Sequence, residues 1–77
     1  MEFTLGGKRY DLTRQQVEER MRGVEPEPGR RHFVEVGGRE YPMKQVFAQC
    51  LGLSRLDFTT AQARHVLARL GFKVIER

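Results

Sequence analysis

The chain has no tryptophan and no asparagine, and among its 77 residues there are one cysteine, one isoleucine and two histidines. A lone cysteine, Cys50, excludes an internal disulfide. With only His32 and His65 to join it, no tetrahedral metal site can be assembled at a recognised ligand spacing. No apolar run approaches the roughly 20 residues that cross a bilayer. The segment Met1-Glu2-Phe3-Thr4-Leu5-Gly6-Gly7 has neither the basic start nor the apolar centre of a secretory signal. The expected location is the cytoplasm, with no membrane partner.

Catalytic groups are equally scarce. Ser54 has no histidine within a recognisable motif, and Thr59 and Thr60 read as helix caps rather than nucleophiles. Glu18 and Glu19 point to different parts of a helix surface and sit among arginines, as solvated charges do. The Gly-Gly pairs lack the strand-to-helix glycine pattern of dinucleotide sites. Cys50 falls on the apolar stripe of its helix, where a buried, inert thiol is the ordinary outcome. The chain therefore reads as a binder rather than an enzyme, and no cofactor is called for.

What is present suits a folded domain: 39% of the residues are hydrophobic and 31% charged. A domain of this size buries only about 60% of its unfolded surface, so the core is expected to be thin and to lean on packing or on a partner. Arginine outnumbers lysine 11 to 3. Together with the missing asparagine this is the bias of a GC-rich genome, so arginine abundance alone says little about nucleic acid. Its distribution says more. Residues 1–28 hold 5 basic and 6 acidic side chains, a net −1, and residues 29–77 hold 9 and 4, a net +5, which together give the formal +4. A local excess of that kind is the electrostatic footprint of a phosphate-bearing partner.

Phe3-Thr4-Leu5-Gly6-Gly7-Lys8-Arg9-Tyr10 predicts two short strands around a Gly-Gly turn. A helix follows, with Thr13 and Gln16 as a capping box, Leu12 and Val17 as a hydrophobic staple, Val17, Met21 and Val24 facing inward, and Gly23 as the stop. Two prolines and a glycine make residues 24–29 an extended connector within a single domain, 1–77. Phe33 to Tyr41 then repeats the hairpin pattern 31 positions on, and Gln45-Val46 repeats Gln16-Val17 near a helix start. A duplicated hairpin–helix unit and convergent turn chemistry both account for this. Pro42 is expected at the first position of a helix carrying Val46, Phe47, Cys50 and Leu51 inward. A third helix starts at Thr59 or Thr60, capped by Thr59 and Gln62, and ends at Gly71 with Phe72 folded back on Leu67. An edge strand closes the chain. The predicted architecture is α+β, a small antiparallel sheet with three helices in the order ββαββααβ.

The most specific feature is Arg39-Glu40-Tyr41-Pro42-Met43-Lys44, where a strand gives way to a helix with a lysine in its first turn. A cation there opposes the helix dipole, but beside a phosphate it acts together with the unpaired N–H groups. Arg64 and Arg69 lie on the polar side of the third helix, and Arg30, Arg31 and His32 form the densest basic cluster, a candidate flexible arm. Each of these also reads as an ordinary solvent-facing charge, and Tyr41 as a core aromatic.

From Val34 onward the chain resembles the sulfur-binding domain of phosphorothioate-dependent restriction endonucleases that also carry an HNH nuclease domain. The resemblance rests on Gly38-Arg39-Glu40-Tyr41-Pro42-Met43-Lys44, on Asp57-Phe58, and on Leu67-Ala68-Arg69-Leu70-Gly71-Phe72-Lys73-Val74. It implies a small bacterial DNA-binding domain in which Tyr41 and Pro42 line a sulfur pocket with Lys44 at its edge. Two departures stand out: Thr59-Thr60-Ala61 replaces the family's Gly-Gly after Asp-Phe, and Gln45 stands where a small residue is common. No nuclease domain accompanies the match, so cleavage is not implied. The leading expectation is a duplex-DNA-binding module using Arg30, Arg31, Arg39, Tyr41, Pro42, Lys44, Arg64 and Arg69. The alternative is a protein-interaction or homodimerisation module.

Overall fold

A computed structural model describes all residues 1–77. The elements are β1 (Glu2–Leu5), β2 (Lys8–Asp11), α1 (Arg14–Arg20), β3 (His32–Val36), β4 (Arg39–Pro42), α2 (Met43–Leu51), α3 (Thr60–Arg69) and β5 (Lys73–Glu76). The order ββαββααβ and the α+β class are as the sequence predicts. The strands divide into two antiparallel sheets rather than one: a β1–β2 ribbon, and a three-stranded sheet in the order β4-β3-β5. The first ribbon pairs only with itself, because its outer edges meet no other strand.

Local chemistry explains most of these boundaries. Gly6 and Gly7 have φ of 54° and 81°, and Gly37 and Gly38 have 59° and 81°. Positive φ at both central residues defines the type I′ turn that fits the twist of a two-residue hairpin. Thr13 caps α1 and Thr59 caps α3, each in a closed capping box with the glutamine three residues on. At the end of α3 the Phe72 N–H donates to Leu67 O at 3.1 Å and the Gly71 N–H to Ala68 O at 3.0 Å, the two bonds of a Schellman motif.

The three-stranded sheet presents one row, Tyr41, Val34 and Val74, toward the helices. On the opposite face Pro42, Phe33 and Ile75 are aligned. Phe47 of α2 is fully buried and joins the two halves: Phe58 meets it edge-on at 4.8 Å and Phe3 of the first ribbon lies 5.7 Å away. Burying side chains of this size stabilises the fold by about 1.5–3 kcal/mol each, which is how so few residues hold two sheets together. Val17 of α1 and Met21, its C-cap, are buried in the same cluster and Val24 packs against it.

Two local expectations change. Pro42 is the last residue of β4 and the N-cap of α2, at φ −55° and ψ 134°, one position before the helix begins. The connector over residues 24–29 forms neither helix nor strand, and it is tied down at Val24, Glu25 and Glu27, as described below.

Candidate nucleic-acid interface

All three helices carry glutamine at their third position, and α2 uses it differently. Gln16 and Gln62 reach back to their own N-caps. Pro42 has no side-chain oxygen to complete such a box, and α2 has no side-chain cap. Gln45 is instead buried and grips the connector: its amide donates to Glu25 O at 2.8 Å and accepts from the Glu27 N–H at 2.9 Å. The Tyr41 hydroxyl donates to Val24 O at 2.9 Å. Arg39 adds a weaker contact to Val24 O at 3.4 Å and an ion pair with Glu25, and Arg55 pairs with Glu27. A Cβ on Gly29 would lie 2.9 Å from Pro42 Cγ and 3.0 Å from Phe33 Cε1, so only glycine passes there without displacing a ring.

These ties deliver the basic cluster to a fixed place. Arg30, Arg31 and His32 leave the strapped connector and line a concavity of about 300 Å³ with Pro42 and Lys44 at the start of α2 and Thr60 at the start of α3. No carboxylate lines it. None of Arg30, Arg31 and Lys44 is in an ion pair, whereas Arg9, Arg14, Arg39, Arg55, Arg64 and Arg77 each are. The Lys44 ammonium sits 5.3 Å from the centre of the Phe58 ring, which steers it without neutralising it. The Arg31 carbonyl accepts the Arg77 N–H at 2.8 Å, tying the cluster to the end of the sheet. His32 Nδ1 is buried here with no hydrogen-bond partner.

The eight sequence-predicted residues therefore separate. Arg30, Arg31, Pro42 and Lys44 converge. Tyr41, only 2% exposed, is corrected from a surface contact to a buried strut, because its ring faces the core and its hydroxyl is spent on the connector. Arg39 is held by the acidic connector. Arg64 is ion-paired with Glu76 and half-buried. Arg69 is exposed at the far end of α3, about 13 Å along the helix from Thr60. The candidate flexible arm is likewise corrected to an anchored segment. Sequence reasoning missed Thr60 and the strapping role of Gln45. The available signal was a third-position glutamine without a capping threonine.

Elsewhere, a second groove of about 270 Å³ between β1 and α3 is lined by Phe3, Leu5, Ala61 and Val66 among others and includes none of the candidate residues. Burial pushes the Cys50 thiol up to about 11, against a smaller opposing pull from Arg20, so it is held protonated. No cluster of three or more histidine, cysteine or acidic side chains could hold a metal. No helix is long and apolar enough to cross a membrane.

Fold and site together define a small α+β domain with a carboxylate-free basic concavity where two helices begin. The chain matches the SCO5918-like family over residues 4–77, and it belongs to that family. No curated protein and no solved structure matches it.

Proposed function

We propose that this domain binds the backbone of duplex DNA in the cytoplasm, seating a phosphate in the concavity formed by Arg30, Arg31 and Lys44. The observation that carries the reading is where unpaired charge gathers: six arginines are engaged by carboxylates, and among the remaining cations Arg30, Arg31 and Lys44, from two segments, share a surface with no acid on it. Three close, unneutralised cations repel one another, and an anion between them relieves that repulsion. The start of α2 adds partial positive charge at the same edge. The strapped connector favours binding further, since the backbone leading to Arg30 and Arg31 is anchored before the partner arrives.

The resemblance to sulfur-binding domains gives this reading a finer form, in which the seated group is a phosphorothioate. The Pro42 ring and the Met43 and Gly29 carbons supply apolar wall beside the cations, the mixed surface such a group prefers. Gln45 does not line this wall, since its amide is turned to the connector.

The test is a titration of a short fluorescent duplex at several salt concentrations, in plain and phosphorothioate forms. The expected result is measurable binding with log K falling linearly against log salt, and a slope of about −2.7 or steeper for three phosphate contacts. Absence of binding, or affinity indifferent to salt, contradicts the proposal. Equal affinity for the two duplexes retains phosphate binding and removes the sulfur form.

A further inference from the structure

We propose that His32 gives the seated phosphate a neutral hydrogen bond from its Nε2–H, beside the three cations, an inference that rests on the reading above. His32 opens β3, and its side chain shares the face of Val34 and Val36, toward the helices. It is half-buried and lines the concavity with Arg30, Arg31, Lys44 and Thr60. Its two ring nitrogens have different surroundings. Nδ1 is buried and has no hydrogen-bond partner, whereas Nε2 is neither bonded within the protein nor closed off from solvent.

The buried nitrogen decides where the proton sits. Neutral imidazole carries one N–H and one lone pair, and of the two an N–H shut away from every acceptor is the rarer to leave unpaired. The other buried side-chain atom without a partner is Arg64 Nε, which can only donate. Arg64 reaches the same corner: it pairs with Glu76, the residue directly across from His32 on β5, and it lies one turn along α3 from Thr60. A proton on Nδ1 would put two unanswered donors there, while a lone pair puts an acceptor beside a donor. Glu76, the carboxylate across the sheet, is taken by Arg64 and leaves Nδ1 unbonded. The ring therefore carries its proton on Nε2, where solvent and ligand reach it. Such a donor differs from the cations around it, since it neutralises no phosphate charge and releases no counterion. It fixes the place of a phosphate oxygen rather than the strength of the charge that draws the backbone in.

The test reads the ring directly, by long-range proton–nitrogen NMR of the histidine side chains. His32 is expected as the Nε2–H tautomer both free and with a short duplex bound, with the Nε2 resonance moving on binding and His65, exposed on α3, as the internal reference. His32→Gln, whose amide keeps an N–H donor, is expected to bind within about threefold of the parent. His32→Ala is expected to bind about tenfold more weakly at every salt concentration, with the slope of log K against log salt unchanged. An Nδ1–H tautomer, an imidazolium in the complex, unchanged affinity in His32→Ala, equal weakening of the two variants, or a shallower slope in His32→Ala overturns the inference while leaving phosphate binding intact. Should His32→Ala lose the parent's circular dichroism spectrum, the ring spectrum of the parent and the His32→Gln affinity decide. Failure of the parent chain to bind any duplex overturns the proposed function and this inference together.

Discussion

The molecule builds a hairpin followed by a helix twice, and the two helices begin in different ways. In β1–β2–α1, two residues separate Tyr10 from the cap, and Thr13 and Gln16 close on each other. In β3–β4–α2 the cap follows Tyr41 directly, and it is a proline. Gln16 and Gln45 occupy the same third helical position, but the second has no threonine to answer it and turns to the connector. One helix start is self-contained. The other fastens a separate segment and, through it, places Arg30 and Arg31 beside Lys44. One local plan thus yields a structural corner in one copy and a candidate binding corner in the other.

The sharpest way to break this contrast is to remove equal charge from each unit. Arg30→Ala, Arg31→Ala and Lys44→Ala together are expected to lower duplex affinity by about two to three orders of magnitude near 0.1 M salt and to make the salt slope shallower by about 2.7. Lys8→Ala, Arg9→Ala and Arg22→Ala, in the first unit and the turn after its helix, are expected to change affinity by less than about threefold. Fluorescence titration of both triple variants measures the difference, and equal losses would mean that only net charge matters.

A smaller effect separates the two glutamines. Gln45→Ala strands the part-buried Glu25 carbonyl and Glu27 N–H that the side chain now satisfies, and is expected to cost about 1–2 kcal/mol in urea unfolding. Gln16→Ala loses one half of an exposed capping box and is expected to cost about 0.5 kcal/mol. Equal costs would show that the strap adds nothing beyond a cap.

Making the second helix start resemble the first is the gentlest change. Pro42→Thr writes the threonine-x-x-glutamine pattern of the other two helices, at a backbone conformation that already suits an N-cap. The new hydroxyl would accept a first-turn N–H, and the backbone N–H regained at residue 42 would compete for the Gln45 side-chain oxygen. Duplex affinity is expected to fall about threefold, with global stability changed by less than about 1 kcal/mol in urea unfolding. Undiminished affinity would remove the helix start from the interface.

How much of this was legible in the sequence follows the distance between partners. Thr13 with Gln16, Thr59 with Gln62, and Gly71 with Phe72 are neighbours in the chain, so the caps and the helix stop could be read directly. The element order followed from them. Gln45 bonds to residues 18 and 20 positions away, and nothing in its local pattern named them. The same applies to Arg64 and Glu76, brought together when β5 pairs with β3. Tyr41 stood in a promising motif, yet its burial depends on Val34 facing it across the sheet. The basic cluster was visible as composition. That Arg30 and Arg31 meet Lys44, while Arg39 and Arg64 are drawn off by acids, required the fold.

The most direct test of the central claim is a two-dimensional amide NMR titration of the labelled protein with a short DNA duplex. Binding at the second helix start predicts the largest shifts at Arg30, Arg31, His32, Lys44 and Thr60, with the Lys8–Arg9 ribbon nearly still. Shifts centred on that ribbon or on Arg69, or no shifts at all, would contradict it.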